Sequence, residues 1–519
     1  MRFSTLALAL GSLMGLSACS TPEIKPQAVD LLISGSTVYT GETLEAKALD
    51  IAVCGEVICG VSPQGQQSYA AQRVINANGL VVSPGFIDAH THSLEELLSQ
   101  DKNANLNYLT QGVTTVVNGN DGGGPVDIAA LSAQLHANGM GTNTALLVGH
   151  GSLRKQVVGL AERYATPEEV SQMKQLTEQA MQDGAIGLSS GLYYVPGVYA
   201  NTQEVVDIAK SAAKYGGIYD THLRDESTFN IGFTQAVDEA IDIATQADIH
   251  LHLAHLKALG VDVWGQSEAV IEKVERAQQQ GVSISADQYP WQASGTHIRS
   301  AVVPKWVMAD SIEAFHQRLN TPHLRDKISS EIAENIRRRG GADALLVTVA
   351  PDQSLQGKTL QQIADERLQS PVNTVIELVQ GPKIRVASFN MSMQDIENFV
   401  VKSWVVTSSD GTNGHPRKFG SFPKKYRQFV QEKQLLTQAQ FVYQSSTKTA
   451  QVLGLDKRGK LAIDYAADIV LFDPKNYRER ASFTQWNELS SGVKYVVVNG
   501  ELTIDNGLYT KKLVGKVVN

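Results

Sequence analysis

Gly85-Phe86-Ile87-Asp88-Ala89-His90-Thr91-His92 is the stretch on which the reading of this chain turns. A short run of strand-forming residues leads into two histidines two positions apart. Alternate residues of an extended segment face the same side, so His90 and His92 can point together. Two neutral imidazoles at that spacing suit a divalent metal such as zinc. Seven similar runs follow, at residues 114–117, 144–148, 185–189, 217–221, 249–254, 282–286 and 404–408. Longer helical patterns separate most of them. Residues 168–182, for example, follow Thr166-Pro167, an N-cap with proline at the first helical position. Strands alternating with helices mark a parallel βα array, and eight strands are what a closed barrel needs.

The interval of about 291–403 is too long for one crossover helix. It holds helical patterns at 312–319, 324–338 and 371–379, and reads as an inserted subdomain. Residues 29–82 and 460–519 carry short β-rich runs instead, too few at either end to close a sheet pair alone. The expected fold is therefore a TIM-like (β/α)8 barrel over 83–459, with a small β-sandwich domain built from 29–82 and 460–519.

Composition agrees with a globular chain. Of 519 residues, 42% are hydrophobic and 19% charged, unlike the charge-rich, aliphatic-poor pattern of disorder. The formal charge of −8 argues against a nucleic-acid partner, which calls for a concentrated basic surface. No apolar run after the first twenty residues is long enough to cross a bilayer.

Those first residues read as an address. Residues 1–18 have the short apolar core of a signal peptide, ending Leu16-Ser17-Ala18-Cys19-Ser20. That ending resembles the bacterial lipoprotein processing box, with Cys19 as the acylated residue and 19–28 as a polar tether. Ser20 after the cysteine suits sorting to the outer membrane, facing the periplasm. The remaining cysteines, Cys54 and Cys59, flank a hairpin turn. A disulfide across it is one arrangement; two inert, half-buried thiols are the expectation.

Barrel enzymes place their chemistry at the C-terminal ends of the strands. Here those ends carry His90 and His92, then Asp121 in a glycine-rich loop, then His222, His255 with Lys257, and Asp410. His250 and His252 share the alternating phase of the sixth strand and stand as rivals to His255. Any one of these residues alone suits packing, a turn or a cap. Four histidines and two aspartates spread over five strand ends converge only if the barrel closes.

Several spans resemble the N-acyl-D-amino-acid deacylases, the D-aminoacylases of the amidohydrolase superfamily. They are Pro84 through His92, Gly149-His150-Gly151-Ser152-Leu153-Arg154, Gly184 through Gly197, Tyr219 through Glu226, and Ser409-Asp410-Gly411 with His415-Pro416-Arg417. The resemblance covers almost the whole chain after the leader. It implies one metal position among His90, His92 and Asp410, and another at His222 and His255, holding one or two zinc ions or another divalent metal. It also implies that Lys257, Tyr289 and Arg417 hold the substrate's α-carboxylate, and that Asp410 is both ligand and general base. Arg224 is expected to brace its turn with Asp225 or Glu226. One departure stands out: Asp121 occupies the slot where the family commonly has a metal-bridging cysteine. A carboxylate can bridge two metals but is a harder ligand than thiolate.

The expected activity is hydrolysis of N-acyl-D-amino acids, small-molecule substrates, with the membrane met only through the lipid anchor. Three alternatives stand beside it: a dipeptidase on D-residue peptides, a hydantoinase- or dihydroorotase-like cyclic amidase, and a degenerate surface-binding lipoprotein. The cyclic amidases carry a carboxylated lysine at the end of strand four, where this chain has Leu188-Ser189-Ser190.

Overall fold

The structure, a computed structural model, describes Met1 and residues 26–519. Most of the expected leader, and Cys19 with it, lies outside the described residues. Eight strands form one parallel sheet in sequence order: β1 (Phe86–Asp88), β2 (Val113–Asn118), β3 (Asn143–Gly149), β4 (Gly187–Gly191), β5 (Ile218–His222), β6 (His250–Leu253), β7 (Ile284–Gln288) and β8 (Val405–Thr407). The seam between β8 and β1 closes beyond the strand ends. Thr91 and Gly411 form a parallel bridge. There Asp410 N donates to His90 O at 2.9 Å, and Ser409 N donates to the Asp88 carboxylate at 2.9 Å. The barrel is thus completed by the segments that carry the candidate ligands.

Period-two alternation divides each strand between two environments. Val116, Leu146, Val148, Tyr219, Leu251, Leu253 and Val405 join the core shared with the outer helices. Ile87, Val117, Ala145, Leu147, Ile218 and Val406 form a separate apolar cluster, in the opposite phase. Asp220 and His222 continue the phase of Ile218 toward the C-terminal end of β5, so the barrel turns from apolar to polar along its length. The first outer helix with a full cap is Pro167–Gln182. Thr166 accepts from Glu169 N, and Glu169 accepts from Thr166 N, the reciprocal box that satisfies two orphan donors.

The two chain ends share a nine-stranded sheet. Val81–Pro84, which leads straight into β1, pairs antiparallel with Ile469–Phe472 from the far end of the chain. The strand Gln27–Val38 pairs along its first part with Tyr69–Asn76 and at Thr37 and Val38 with Val81 and Val82, so the sheet branches there. Ile33, Ile51, Val53, Ile469, Leu471 and Val497 form its core. Cys54 and Cys59 are joined by a disulfide across the hairpin turn. That corrects the expectation of two free thiols. Antiparallel pairing of Cys54 with Val57 brings the two strands together around Gly55-Glu56 and the sulfurs within bonding reach.

Between β7 and β8 stands a three-stranded antiparallel sheet with Arg385–Phe389 at its centre, flanked by Ala293–His297 and Leu345–Val349. Its helices bury a core of their own, including Val302, Phe315, Ile328, Ile332 and Val375. The chain returns to the barrel through helix Met393–Val400. Among the described residues no helix is long and apolar enough to cross a membrane.

Candidate metal centre

At the C-terminal rim of the barrel, His90, His92, Asp121 and Asp410 bring ligating atoms within 4.8 Å of one another. Asp121, His222 and His255 do the same. Asp121 belongs to both groups. Its Oδ1 lies 3.0 Å from His255 Nε2 and 3.5 Å from both His222 Nδ1 and His90 Nε2; its Oδ2 lies 3.4 Å from His92 Nε2. Asp410 Oδ1 stands 3.3 Å from His92 Nε2 and 3.9 Å from His90 Nε2. All six residues singled out from the strand ends therefore meet at one place.

Backbone geometry puts them there. Asp121 (φ 59°), His255 (φ 36°) and Asp410 (φ 46°) all sit in the left-handed region. A non-glycine residue there costs about 1–3 kcal/mol and persists where surrounding structure enforces it. The loop carrying Asp121 is pressed onto β3: a side chain at Gly124 would bring a Cβ within 2.1 Å of Leu147 O. Ser189 on β4 pins the same loop, accepting from Gly122 N at 3.1 Å.

The rivals of His255 lie elsewhere. His250 sits between the hydroxyls of Ser283 and Ser285, and His252 bonds Ser285 and Asp287 inside the barrel. The left-handed turn at His255 aims its ring at Asp121 instead. Below the cluster, Asp287 Oδ2 faces His90 Nδ1 at 3.9 Å.

The donor set fits a cation. His90 is wholly buried, yet neither ring nitrogen has a hydrogen-bond partner. Burial favours protonated carboxyls, but His90 and His255 hold Asp121 well below the usual carboxylate range. Arg417 and His255 do the same for Asp410 against the same burial. Against burial and Lys257, the carboxylates of Asp121, Glu226 and Asp410 push His255 up to about 10. Two ionised carboxylates among four imidazoles form a site that attracts positive charge.

The expected carboxylate-binding residues are arranged unevenly. Lys257 lines the cavity above the cluster, but its Nζ is held by Glu226 Oε1 at 2.6 Å and His255 Nδ1 at 2.8 Å. Arg417 is buried behind Asp410, Nη1 to Oδ2 at 2.7 Å, with its guanidinium over the Tyr289 ring. Tyr289 is buried beside it. Arg224 pairs with Glu239, Nε to Oε2 at 2.8 Å, and not with Asp225 or Glu226. Asp225 caps its own loop by accepting from Ser227, Asn230 and Gly232 N–H groups. Glu226 is thereby free to meet Lys257 and His255, a site role the sequence reading assigned to the turn. The cavity, of about 370 Å³, is walled on its far side by the insertion, through Ser294, Thr296, His297, Arg339 and Arg385. Nothing in local sequence pattern marks these; they reach the site only by the packing of the inserted sheet.

Comparison with known proteins gives concordant matches. A model described as Amidohydrolase family matches residues 73–293 and 393–504, leaving out most of the insertion. A D-aminoacylase of Alcaligenes xylosoxydans xylosoxydans is 29% identical, over 95% of this chain and 98% of that protein. An N-acyl-D-glutamate deacylase of the same organism is 29% identical over 91% of this chain and 93% of its own. A crystal structure of D-aminoacylase superposes with a TM-score of 0.81 at 29% identity, covering 95% of this chain and all of the other. The N-acyl-D-glutamate deacylase of Bordetella bronchiseptica, solved with zinc and a phosphonate mimic of the tetrahedral intermediate, gives 0.81 at 26% identity, with 95% of this chain and all of that one covered.

Proposed function

The chain belongs to the amidohydrolase family, and from that premise we propose that it is a metal-dependent amidohydrolase. Its reaction is cleavage of the amide bond of N-acyl-D-amino acids, giving a carboxylate and a free D-amino acid. The observation that carries this reading is Asp121 standing between two groups of ligating side chains, with ion-paired Asp410 on the cavity wall. Relatives that span nearly the whole chain act on such amides by name.

His90, His92, Asp121 and Asp410 would hold one cation, and Asp121, His222 and His255 another, with zinc the ion found in the Bordetella relative. When bound there, a divalent cation supplies Lewis acidity to an amide carbonyl and makes a water molecule acidic at neutral pH. Arg417 holds Asp410 Oδ2 and keeps the carboxylate ionised, which leaves Oδ1 toward His92 and the cavity. Asp410 takes the proton of the attacking water and returns it to the leaving amine nitrogen. Glu226 lies 3.2 Å from His255 Nδ1 and orients that ring, while Asp287 sets a carboxylate on the inner side of His90 beyond hydrogen-bond distance. Lys257, which lines the cavity, would take the α-carboxylate after leaving Glu226, with Arg417 and Tyr289 adding to it from behind Asp410, where Arg417 keeps its pairing.

The test is a panel of N-acetyl-D-amino acids, their L-enantiomers and D-containing dipeptides, assayed with metal-loaded protein. Turnover of the D-amides, lost on chelation and restored by zinc, is expected. Dipeptides cleaved in preference to acyl amino acids would shift the reading to a dipeptidase.

We also propose that the protein is a lipoprotein of the bacterial envelope, anchored through Cys19 toward the periplasm. The motivation is the Leu16-Ser17-Ala18-Cys19 box followed by a polar tether. An oxidising compartment also suits the Cys54–Cys59 disulfide. Cys19→Ala should block processing or release a soluble form; unchanged membrane fractionation would rule the anchor out.

A further inference from the structure

Most charge on the cavity wall is matched; among the described residues the exceptions are Glu95 on the barrel side and the guanidiniums of the insertion. Asp121 and Asp410 face the imidazoles, Asp410 also holds Arg417, and Glu226 holds Lys257. Arg385 lines the same cavity from the central strand of the inserted sheet, and among the described residues it forms no ion pair. Its one side-chain hydrogen bond is from Nη1 to His297 Nε2 at 3.3 Å. A guanidinium has five donors in a planar fork, so most of this one is unused.

No neighbour pairs directly with Arg385; Asp410 and Glu95 act on it only from beyond ion-pair distance. Burial and Arg385 itself hold His297 down to about 4, so that ring is neutral at physiological pH. Burial and repulsion from Arg417 lower Arg385 to about 10. A largely buried cation without a partner is unfavourable unless something that enters the site neutralises it. By contrast, Arg339, the other guanidinium on this wall, is engaged by neutral acceptors, with Nε donating to Ala301 O at 2.8 Å. Arg385 alone faces the cavity with its fork open.

We infer that Arg385 receives a second carboxylate of the substrate, so that the preferred substrates are dianionic N-acyl-amino acids. The inference rests on the proposed function, in which Lys257 takes the α-carboxylate and Arg417 stays paired with Asp410; Arg385 is then left for an additional anionic group. That group could stand on the amino-acid side chain or at the far end of the acyl chain. Either gives a carboxylate that a planar fork can bind through two parallel hydrogen bonds. Arginine suits this geometry and lysine does not, since an ammonium offers a point charge.

The experiment compares matched substrates on metal-loaded wild type, Arg385→Met and Arg385→Lys. N-acetyl-D-glutamate against N-acetyl-D-glutamine tests the side-chain source. N-succinyl-D-leucine against N-butyryl-D-leucine tests the acyl source. One dianion should exceed its monoanionic partner in kcat/KM by ten-fold or more. Arg385→Met should erase that preference chiefly through KM, with the monoanionic substrates within about three-fold of wild type, and Arg385→Lys should restore only part. Calorimetric binding of D-glutamate against D-glutamine gives a readout independent of turnover for the side-chain arm. Monoanionic substrates hydrolysed as well as both dianions, with Arg385→Met unchanged on all four, would overturn the inference and leave the amidohydrolase reading intact. Failure of every acyl-amino acid to turn over would count against the proposed function instead; tight binding of D-glutamate that depends on Arg385 would still support the anionic subsite.

Discussion

Asp121 concentrates the chemistry of this site in one side chain. Among the described residues it is common to the two ligating groups, and it occupies the slot where the family resemblance leads us to expect a bridging cysteine. Asp121→Asn keeps shape and turn propensity and removes the charge. We expect it to lose bound metal and to cut kcat more than about 100-fold, beyond the effect of losing a supporting partner. Thermal stability should change little; full metal content by elemental analysis would show that the carboxylate is only part of its loop. The histidines give a sharper contrast. His222→Ala and His255→Ala should each strip an ion, whereas His250→Ala should keep full metal, because its ring is committed to Ser283 and Ser285. At this scale much was legible. Histidines and aspartates at strand ends can be read from spacing, since period two fixes which side they face. The choice of His255 over His250 could not be, because it depends on a left-handed turn with no glycine to announce it.

Loops and helices position these residues with different tolerance. The glycine-rich loop after β2 is held by backbone contact, so Gly124→Ala would drive a Cβ into Leu147 O. The loop must then move and carry Asp121 with it. Metal binding should weaken at least ten-fold in a protein that still folds, as circular dichroism and elemental analysis together would show. Helix Pro167–Gln182 lies outside the barrel wall, far from this chemistry in role. Thr166→Ala removes one half of its capping box and should lower stability by ~1 kcal/mol. Activity at 25 °C should be unchanged; a matching loss of kcat would mean the helix supports the site. The cap was readable because Thr-Pro before a helical run is a local signal. The insertion's contribution to the cavity was not, since Arg385 and Arg339 lie about 46 residues apart in sequence and meet the cavity only through tertiary packing.

Both ends of the chain brace the barrel as a whole. Beyond the terminal sheet, the last residues run along the barrel: Thr144 N donates to Lys516 O at 2.9 Å, Val518 N to Thr144 O at 2.8 Å, and Gly515 N to Met140 O at 2.7 Å. Truncation after Lys512 removes these three bonds, each worth about 0.5–1.5 kcal/mol net, and should destabilise the molecule by about 2–4 kcal/mol. A melting temperature equal to that of the full chain would show the tail to be dispensable. Stability should also fall in mild acid. Burial lowers His250 to about 4 in the folded chain, against about 6.5 when unfolded. Between these values the unfolded state binds more protons, so stability drops as pH falls from about 6.5 to 4. Urea midpoints across that range should decline less steeply in His250→Asn than in wild type.

The sequence by itself determined the barrel, the two-ended β domain and the ligand types, because alternation, helix caps and strand-end polarity are local patterns that burial must obey. Tertiary structure alone decided the rest. It chose between disulfide and free thiols, paired Arg224 with Glu239 and Glu226 with Lys257, and brought Arg385 to the cavity. Those outcomes depend on distances between residues remote in the chain. Such distances follow from how whole layers pack, and no window of sequence contains them.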